Sequence, residues 1–365
     1  MNDIYWIGPR DADIKNEDMF TGSITRYGYD SIDNVSFCNN KYTDDYNLFL
    51  KTELEKIICN NKNSYFIFAN DVKAYQLGQQ IFSHSICLNS LPVIECLNNK
   101  IFIRDFLSDC VTIPQCIAMN ARSAKNTSFV ESVFNYKYRD YVIQVPMSAG
   151  GEKTFFQRVF EKVTINDEVM VLITPYIENA IPINVHIAIS NNDYRILPPS
   201  VQIVLNKFSY VGSDYIKFQN IALENRNKMF DICKRIAYKI STLSFKGILG
   251  LDFLLKNDDI IFLECNCRYQ GSSCALNYGL IENKFPSFFK LQYMSFYNNF
   301  NEIPKSIFYA PINFSSYRRT KNDFDVDLPQ PFLIFDDSGD KNSALRNNYI
   351  RLELYKQSIY HQFQR

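Results

Sequence analysis

Two acids, an amide and an arginine occur at strand spacing within one short part of the chain. Asp252 interrupts an apolar run, and Glu264, Asn266 and Arg268 occupy every second position after the next apolar run. Side chains at every second position of a strand share one face. Carboxylate and amide oxygens suit Mg²⁺, which keeps water ligands and takes others from phosphates. The pattern predicts a metal and phosphate site, with the Arg268 guanidinium beside it to hold a carboxylate or a phosphate.

A hairpin would bring these side chains together. The apolar runs 249–255 and 260–263 are short and flank the turn residues 256–259, so we predict two antiparallel strands. Asp252 then lies opposite the face that carries Glu264. The alternative is an ordinary hairpin with a solvated polar face.

The polar row continues into a loop that contains glycine. Gln270 precedes Gly271, and Ser272 and Ser273 follow it. Ligand contacts concentrate on loops of this kind. We therefore predict that Gln270, Ser272 and Ser273 bind substrate together with Arg268.

These residues resemble the signature of the ATP-grasp superfamily, in which an acid is followed about a dozen positions later by Glu-x-Asn-x-Arg. The continuation of Arg268 into Gln270 is similar to the biotin carboxylase branch of the carboxylate–amine/thiol ligase type. The resemblance implies that Asp252, Glu264 and Asn266 bind Mg²⁺ or Mn²⁺ between the ATP phosphates. It also implies a catalytic role for Arg268, which would orient the acyl phosphate or the carboxylate that becomes one.

Upstream, a segment of small residues separates two β-rich runs between residues 140 and 154. Gly150 and Gly151 allow close backbone approach to phosphate, and Ser148 and Thr154 add hydroxyl donors, although a plain turn explains the pair of glycines as well. The resemblance implies a glycine-rich loop here that covers the ATP phosphates. It also implies a lysine on the preceding strand, where this chain has Gln144, an amide that still donates a hydrogen bond to phosphate or adenine.

Lys100 resembles the first nucleotide-binding lysine of the family. Because Gln144 is neutral, Lys100 is the stronger candidate for a charged contact with the nucleotide. The resemblance therefore implies that Lys100 both binds the nucleotide and shares the charge that develops in catalysis. On its own, Lys100 is an ordinary surface lysine.

An apolar run from Val169 ends at Pro175, which cannot donate to a central strand ladder. An edge strand with a terminal proline is one explanation. By resemblance this is the hinge strand, where Pro175, Tyr176 and Ile177 contact adenine and Glu178 contacts the ribose.

Two further polar residues lie near the expected site. His186 falls within the alternating strand 183–189, where a packed or hydrogen-bonded histidine is the common case. Gln202 falls near the rim of the family's active site, and we assign both residues to substrate binding. The apolar stripe of residues 221–243 predicts a core-facing helix.

The predicted fold is mixed α/β (α+β), an ATP-grasp fold in three parts. Residues 1–95 form an amino-terminal α/β domain. By resemblance its strand ends contact the second substrate, with Gly8, Arg10 and Asp71 as candidates, although a turn and a helix cap explain these residues equally well. The linker and mobile lid with the glycine loop span 96–176, and a carboxyl-terminal antiparallel-sheet sub-domain spans 177–365. The sequence assigns no role to the tail from about residue 304.

Composition excludes several classes of protein. Lys plus Arg and Asp plus Glu number 39 each, so no overall field attracts nucleic acid or an anionic membrane. No apolar stretch approaches the roughly 20 residues of a membrane helix, and the amino terminus does not have the pattern of a signal peptide. The ten cysteines show no CxxC pair. We expect a cytoplasmic protein with free thiols and neither a nucleic-acid nor a membrane partner.

The resemblance implies an ADP-forming ligase with ATP and Mg²⁺ or Mn²⁺ as cofactors. A small carboxylic or amino acid becomes an acyl phosphate and is transferred to an amine, in the biosynthesis of a small molecule or peptide. A carboxylate–thiol ligase that loads an amino acid onto an acyl carrier protein is the alternative, and a non-catalytic nucleotide-binding protein is a further one. A homodimer is one of the expected oligomeric states.

Overall fold

A computed structural model describes most of the chain, and its elements alternate between strands and helices. It describes residues 2–14, 17–27, 35–36, 43–148, 153–191, 193–206, 208–297, 300–320, 327–336 and 350–363. The strands are β1 (Asp3–Arg10), β2 (Gly22–Tyr27), β3 (Val35–Ser36), β4 (Ser64–Phe68), β5 (Ile117–Asn120), β6 (Tyr141–Gln144), β7 (Thr154–Phe156), β8 (Met170–Pro175), β9 (Ile181–Ile189), β10 (Tyr194–Ile196), β11 (Ser200–Leu205), β12 (Ser209–Asp214), β13 (Gly247–Lys256), β14 (Asp259–Asn266), β15 (Ser315–Thr320), β16 (Leu333–Asp336) and β17 (Ile350–Tyr355). The α-helices are α1 (Thr43–Asn60), α2 (Asp71–Gln76), α3 (Gln79–Ser83), α4 (Leu91–Asn98), α5 (Lys100–Phe106), α6 (Ala121–Ala124), α7 (Thr127–Val133), α8 (Gln157–Phe160), α9 (Tyr215–Gln219), α10 (Leu223–Ser241), α11 (Ser273–Glu282) and α12 (Phe288–Tyr297). The predicted mixed class is confirmed.

The first sheet is parallel and has the strand order β3-β2-β1-β4. Both strands that the sequence predicts in this region, near residues 4–7 and 64–69, are present as β1 and β4. Apolar side chains of β1, β2 and β4 pack against α1, with Leu50 and Leu54 fully buried.

A hydrogen bond and ring contacts connect the first sheet to the loop that follows β14. The backbone N–H of Tyr269 donates to the carbonyl of Ala69, just beyond β4, at 2.7 Å. The ring of Trp6 packs edge-on against Tyr269 and Phe289, at centroid distances of 5.4 and 4.8 Å. These contacts fix the backbone next to Arg268.

A second sheet, antiparallel in the order β5-β8-β6-β7, forms a small sub-domain with its own core. The predicted hinge strand is β8, and it ends at Pro175 as expected. Its neighbour β6 ends at Gln144 and pairs with β7, so Gln144 lies opposite Thr154. We refer to this sub-domain as the lid.

The third sheet has nine strands and contains the predicted hairpin. Its order is β14-β13-β9-β11-β12-β15-β17-β16, with β10 paired to β9. The strand predicted at 183–189 is β9, and the helix predicted at 221–243 is α10. The tail, to which the sequence assigned no role, supplies β15, β16 and β17 to this sheet.

The two faces of the third sheet have different partners because side chains alternate along each strand. Ile187 and Leu251 belong to the face that packs against α10. Ala188 and Ile248 belong to the opposite face, which α11 and α12 cover at one end. Asn184 and Asp252 share this second face beyond the helices.

A buried acid lies where the first sheet meets the rest of the chain. The Asp71 carboxylate accepts hydrogen bonds from the backbone and the side chain of Asn89, at 3.0 and 3.2 Å. Burial raises the pKa of Asp71 from its ordinary 3.8 to about 6. A carboxyl whose pKa is raised on folding destabilises the fold as the pH rises through the interval between the two values.

We therefore expect Asp71→Asn to gain stability relative to the native chain as the pH rises from about 4 to 6. The neutral amide keeps an oxygen acceptor, so the difference in free energy of unfolding should grow by up to about 3 kcal/mol and be constant above pH 7. Urea unfolding at a series of pH values measures this difference. The exposed substitution Asp231→Asn is the matched control, and a difference independent of pH for Asp71→Asn would contradict the expectation.

Candidate functional site

A cavity of about 1110 Å³ lies between the lid and the nine-stranded sheet. Its lining residues come from β6, β8, β11, β13 and β14, from the loop after β14, and from the tail. Two further cavities among the described residues are much smaller, at about 30 and 20 Å³. Asp71 lines the cavity of about 30 Å³ and not the large one, and Gly8 lines none of the three. The side chain of Arg10 lies outside the described part of the chain.

Two carboxylates face each other on the floor of the large cavity. The β13–β14 register pairs Asp252 with Glu264, which confirms the arrangement expected of the hairpin. Asp252 Oδ1 accepts from the side-chain amides of Asn184 and Gln202, at 2.7 and 2.9 Å. Burial and the charge of Glu264 raise the pKa of Asp252 to about 7. Gln202 is thus a neighbour of the acid pair.

The ammonium of Lys100 forms an ion pair with the carboxylate of Glu264. Lys100 is the first residue of α5, a helix that begins there because the Asn99 side chain accepts from the N–H groups of Ile101 and Phe102. The Lys100 ammonium lies 3.0 Å from Glu264 Oε2 and donates to the Ser148 carbonyl at 2.6 Å. Burial alone would raise the pKa of Glu264, but the Lys100 charge and hydrogen bond hold it below its ordinary value. Lys100 is itself 3% exposed, so it is not a surface lysine.

Asn266 connects the acids to the arginine. Its Nδ2 donates to Asp252 Oδ2 at 3.0 Å and to Glu264 Oε1 at 3.3 Å, and its Oδ1 accepts from Arg268 Nη2 at 3.0 Å. Ligation of a metal by Oδ1 therefore requires the amide to rotate.

The donor set fits a hard cation that shares its ligands with a bound phosphate. Within the described ranges, no group of three or more His, Cys, Asp or Glu side chains could hold a metal. Two carboxylates and one amide would leave the remaining positions of the metal's coordination shell to water and phosphate oxygens, as Mg²⁺ prefers. The raised pKa of Asp252 is consistent with a site in which a cation replaces a proton.

Two arginines that the sequence analysis did not select also line the cavity. Arg104 is one helical turn beyond Lys100 on α5, and this spacing of four places both side chains on one face. Arg318 comes from β15 and reaches the cavity near Gly271. The spacing from Lys100 could have identified Arg104, whereas nothing local in the sequence connects Arg318 to the hairpin.

The predicted phosphate loop is only partly described. Gln144 and Thr154 line the cavity, while Ser148 contacts Lys100 through its carbonyl. Gly150 and Gly151 lie outside the described residues.

Three of the four predicted hinge residues line the cavity, namely Pro175, Tyr176 and Ile177. Glu178 is exposed beside them, and its carbonyl accepts from the ammonium of Lys256. Glu178 itself is not among the residues that line the cavity, so its contact with ribose stays a prediction.

His186 lies behind the cavity wall. The ring is 2% exposed, and its Nε2 contacts Gln270 Nε2 at 3.0 Å and Ser273 Oγ at 3.1 Å. Burial lowers the pKa of His186 to about 3, so the ring is neutral and its Nε2 accepts from the Gln270 amide. Gln270 and Ser272 line the cavity. His186 and the buried Ser273 are not among the lining residues, and they hold Gln270 in place through hydrogen bonds.

Comparison with known proteins identifies the fold. Residues 97–272 match the model of the ATP-grasp domain. No curated protein matches the sequence. The chain is similar to the biotin carboxylase of Campylobacter jejuni, solved as a beta-gamma-ATP complex, with TM-score 0.71, 11% identity, and coverage of 98% of this chain and 88% of that one.

Two further solved structures share the fold. The biotin carboxylase domain of Hydrogenobacter thermophilus 2-oxoglutarate carboxylase, a dimer solved with MgADP, ADP and bicarbonate, has TM-score 0.69 and 11% identity over 97% of this chain and 86% of that one. The phosphoribosylamine–glycine ligase of Thermotoga maritima has TM-score 0.65 and 12% identity over 99% and 94%.

The chain thus has an ATP-grasp domain, and the extended matches show that the ATP-grasp fold includes the flanking regions. Residues 97–272 thus match the domain of the superfamily that the signature in β13 and β14 resembles.

The side chain of Gln270 packs so close to Gly250 that no larger residue fits there without displacing it. A Cβ at Gly250 would lie 1.8 Å from Gln270 Nε2. We expect Gly250→Ala to displace the Gln270 side chain from His186 and to lower the free energy of unfolding by about 1–3 kcal/mol. Urea unfolding of Gly250→Ala, Gln270→Ala and the double variant measures the coupling between the two positions. Because Gln270→Ala removes the colliding amide, the double variant should be more stable than the sum of the single effects, and additive losses would contradict the steric explanation.

Proposed function

We propose that this chain is an ATP-dependent carboxylate–amine ligase, which forms an acyl phosphate from a small carboxylic or amino acid and transfers the acyl group to an amine. The observation that carries the proposal is the hydrogen-bonded floor of the cavity. There Lys100, Glu264, Asn266 and Arg268 are linked in one row beside Asp252. Biosynthesis of a small molecule or peptide is the setting we infer.

The nucleotide would occupy the part of the cavity between β8 and the floor. Pro175, Tyr176 and Ile177 supply backbone groups and an apolar surface for a purine, next to Leu254 on β13. Several structures that share the fold were solved with ADP or MgADP bound, and this supports a nucleotide here.

Asp252, Glu264 and, after rotation of its amide, Asn266 would hold Mg²⁺. Bound Mg²⁺ would neutralise charge on the ATP phosphates during transfer. Lys100 would keep Glu264 ionised for this role, since its ammonium lowers the pKa of that carboxylate.

The acid would bind at the other end of the cavity, where Arg268 and Arg318 supply positive charge near Ser272. A carboxylate oxygen attacks the γ-phosphorus of ATP, and the bond from phosphorus to the bridging oxygen of ADP breaks. The amine then attacks the acyl carbon, inorganic phosphate leaves, and the amine loses a proton to solvent. Arg268 would stabilise the oxyanion that forms in this second step.

Nucleotide binding tests the assigned metal ligands directly. We expect ADP to bind the native chain more tightly with Mg²⁺ than with EDTA. Asp252→Asn should reduce this gain by roughly tenfold or more, the scale of one charged contact. Calorimetric titration gives both Kd values. The control Asp231→Asn lies on the exposed side of α10, and an unchanged gain in Asp252→Asn would contradict the assignment.

The chemical step is tested by trapping the acyl phosphate. Native protein, Mg·ATP and a panel of amino acids and small carboxylic acids are incubated with hydroxylamine, which displaces phosphate and yields a hydroxamate. We expect hydroxamate and ADP with at least one acid, and a loss of about 100-fold or more in Glu264→Gln, because the buried Lys100 and the metal both lose a charged partner.

Asp231→Asn should retain the native rate in the same assay. A thioester on a carrier protein, formed when an acyl carrier protein replaces hydroxylamine and no amine serves, would instead indicate a thiol ligase. Binding of ADP and ATP without release of phosphate, with the whole panel and with carrier protein, would refute the ligase function.

A further inference from the structure

Two polar side chains of β9 lie behind the loop that follows β14. Asn184 and His186 are two positions apart, so they share one face of the strand. Both are 2% exposed, and neither is among the residues that line the large cavity. The register pairs them with Asp252 and Gly250 of β13. Strand β9 thus places one polar side chain beside the acid of the floor and the other beneath the loop 270–273.

The amide of Asn184 is oriented by the acid next to it. Its Nδ2 donates to Asp252 Oδ1 at 2.7 Å, and an ionised carboxylate can only accept. Asn184 Oδ1 therefore faces Ser272 and accepts from the Ser272 hydroxyl at 3.1 Å. This bond uses the one hydrogen of that hydroxyl, so the lone pairs of Ser272 Oγ are what it offers to a ligand. Ser272 lines the cavity.

The side chain of Gln270 is oriented by the histidine. The backbone N–H of Gln270 donates to Ser273 Oγ at 3.0 Å, which leaves the Ser273 hydroxyl hydrogen for His186 Nε2, 3.1 Å away. Because burial lowers the pKa of His186 to about 3, the ring is neutral, and its Nε2 also accepts from Gln270 Nε2 at 3.0 Å. Gln270 Oε1 is therefore the end of the amide that remains for a ligand in the cavity.

Two oxygen acceptors are thus presented next to a cation. Arg268 lies two residues before Gln270, lines the same cavity, and can only donate. A carboxylate would satisfy the guanidinium, but it offers no hydrogen to Gln270 Oε1 or Ser272 Oγ. An acceptor that loses water and gains no donor on binding is costly. The ligand that fits this set therefore carries N–H donors close to its carboxylate.

We propose that the acid that binds at this end of the cavity is an α-amino acid, whose carboxylate lies at Arg268 and whose amino group donates to Gln270 Oε1 and Ser272 Oγ. The short spacing of Arg268 and Gln270 places the amino group on the carbon next to the carboxylate. Asn184 and His186 are positioning residues, which fix the two acceptors without touching the ligand. The inference rests on the proposed function, since it names the acid that the ligase takes.

Matched pairs of acids test this preference on the native chain. Each protein amino acid is compared with the acid that lacks only its α-amino group, such as phenylalanine with 3-phenylpropionate. Calorimetry gives the Kd of each acid with Mg²⁺ and AMPPCP, an ATP analogue that transfers no phosphate, and the hydroxamate assay gives kcat/KM with ATP. For at least one pair, we expect the amino acid to bind about tenfold or more tightly and to react about 100-fold or more efficiently, because its partner leaves acceptors unpaired.

Two variants of His186 separate positioning from packing. His186→Phe keeps an aromatic ring beside Phe288, whose centroid lies 5.5 Å away, but has no acceptor for Gln270. The ratio of kcat/KM within a pair should then fall by roughly tenfold, the scale of one hydrogen bond. His186→Gln returns an acceptor oxygen and should keep most of the ratio. The exposed His361→Phe is the matched control, and the Kd of Mg·ADP should stay within about twofold in all three variants.

The outcomes separate this inference from the ligase function. Equal binding within every pair, tighter binding of the plain acids, or binding of no acid by the native chain would each overturn the α-amino acid. A ratio that His186→Phe leaves unchanged would overturn the positioning role. Hydroxamate formed equally from both members of a pair would overturn the inference and leave the ligase function standing. Preferential binding of amino acids without any hydroxamate would overturn the ligase function alone.

Discussion

The ion pair between the buried Lys100 and the partly exposed Glu264 is the interaction on which the arrangement of the site depends. One ammonium group contacts the floor through Glu264 and the start of the lid loop through the Ser148 carbonyl. The Lys100 side chain is 4% exposed and the Glu264 side chain is 20% exposed, so loss of Glu264 would leave a buried ammonium without its counter-charge. The lid, α5 and the hairpin are therefore held in one geometry by a contact that also lowers the pKa of Glu264, the proposed metal ligand.

The sequence predicted the floor well because its chemistry and its geometry are local. Asp252, Glu264 and Asn266 lie within fifteen consecutive residues, and the alternation of strand side chains alone decides which of them share a face. The turn at residues 257–258 sets the register as far as the pair Phe253–Phe262, and a bulge at Leu263 then shifts it by one residue so that Asp252 pairs with Glu264. Alternation alone therefore predicted the shared face of Glu264 and Asn266, whereas the partner of Asp252 depends on the bulge.

The remaining parts depend on contacts between distant segments. Arg318 enters the cavity only because β15 pairs with β12, and a strand pairing over about a hundred residues leaves no periodic signal. For His186 the sequence predicted the position beside the site. It did not predict that the Gln270 side chain lies between His186 and the cavity, because that placement is a contact between distant segments. Arg104 contacts the floor at the Leu263 carbonyl, where a bulge breaks the alternation that the sequence analysis assumed.

The link between Ala69 and Tyr269 is made by backbone atoms on both sides. Such a bond requires that the chain pass through a given place, but it does not require a particular side chain at either position. Substitutions in the first domain can thus accumulate without moving Arg268, provided that β4 ends at the same point. A domain can diverge until its sequence resembles its relatives only loosely and still hold the backbone beside Arg268 through this one hydrogen bond.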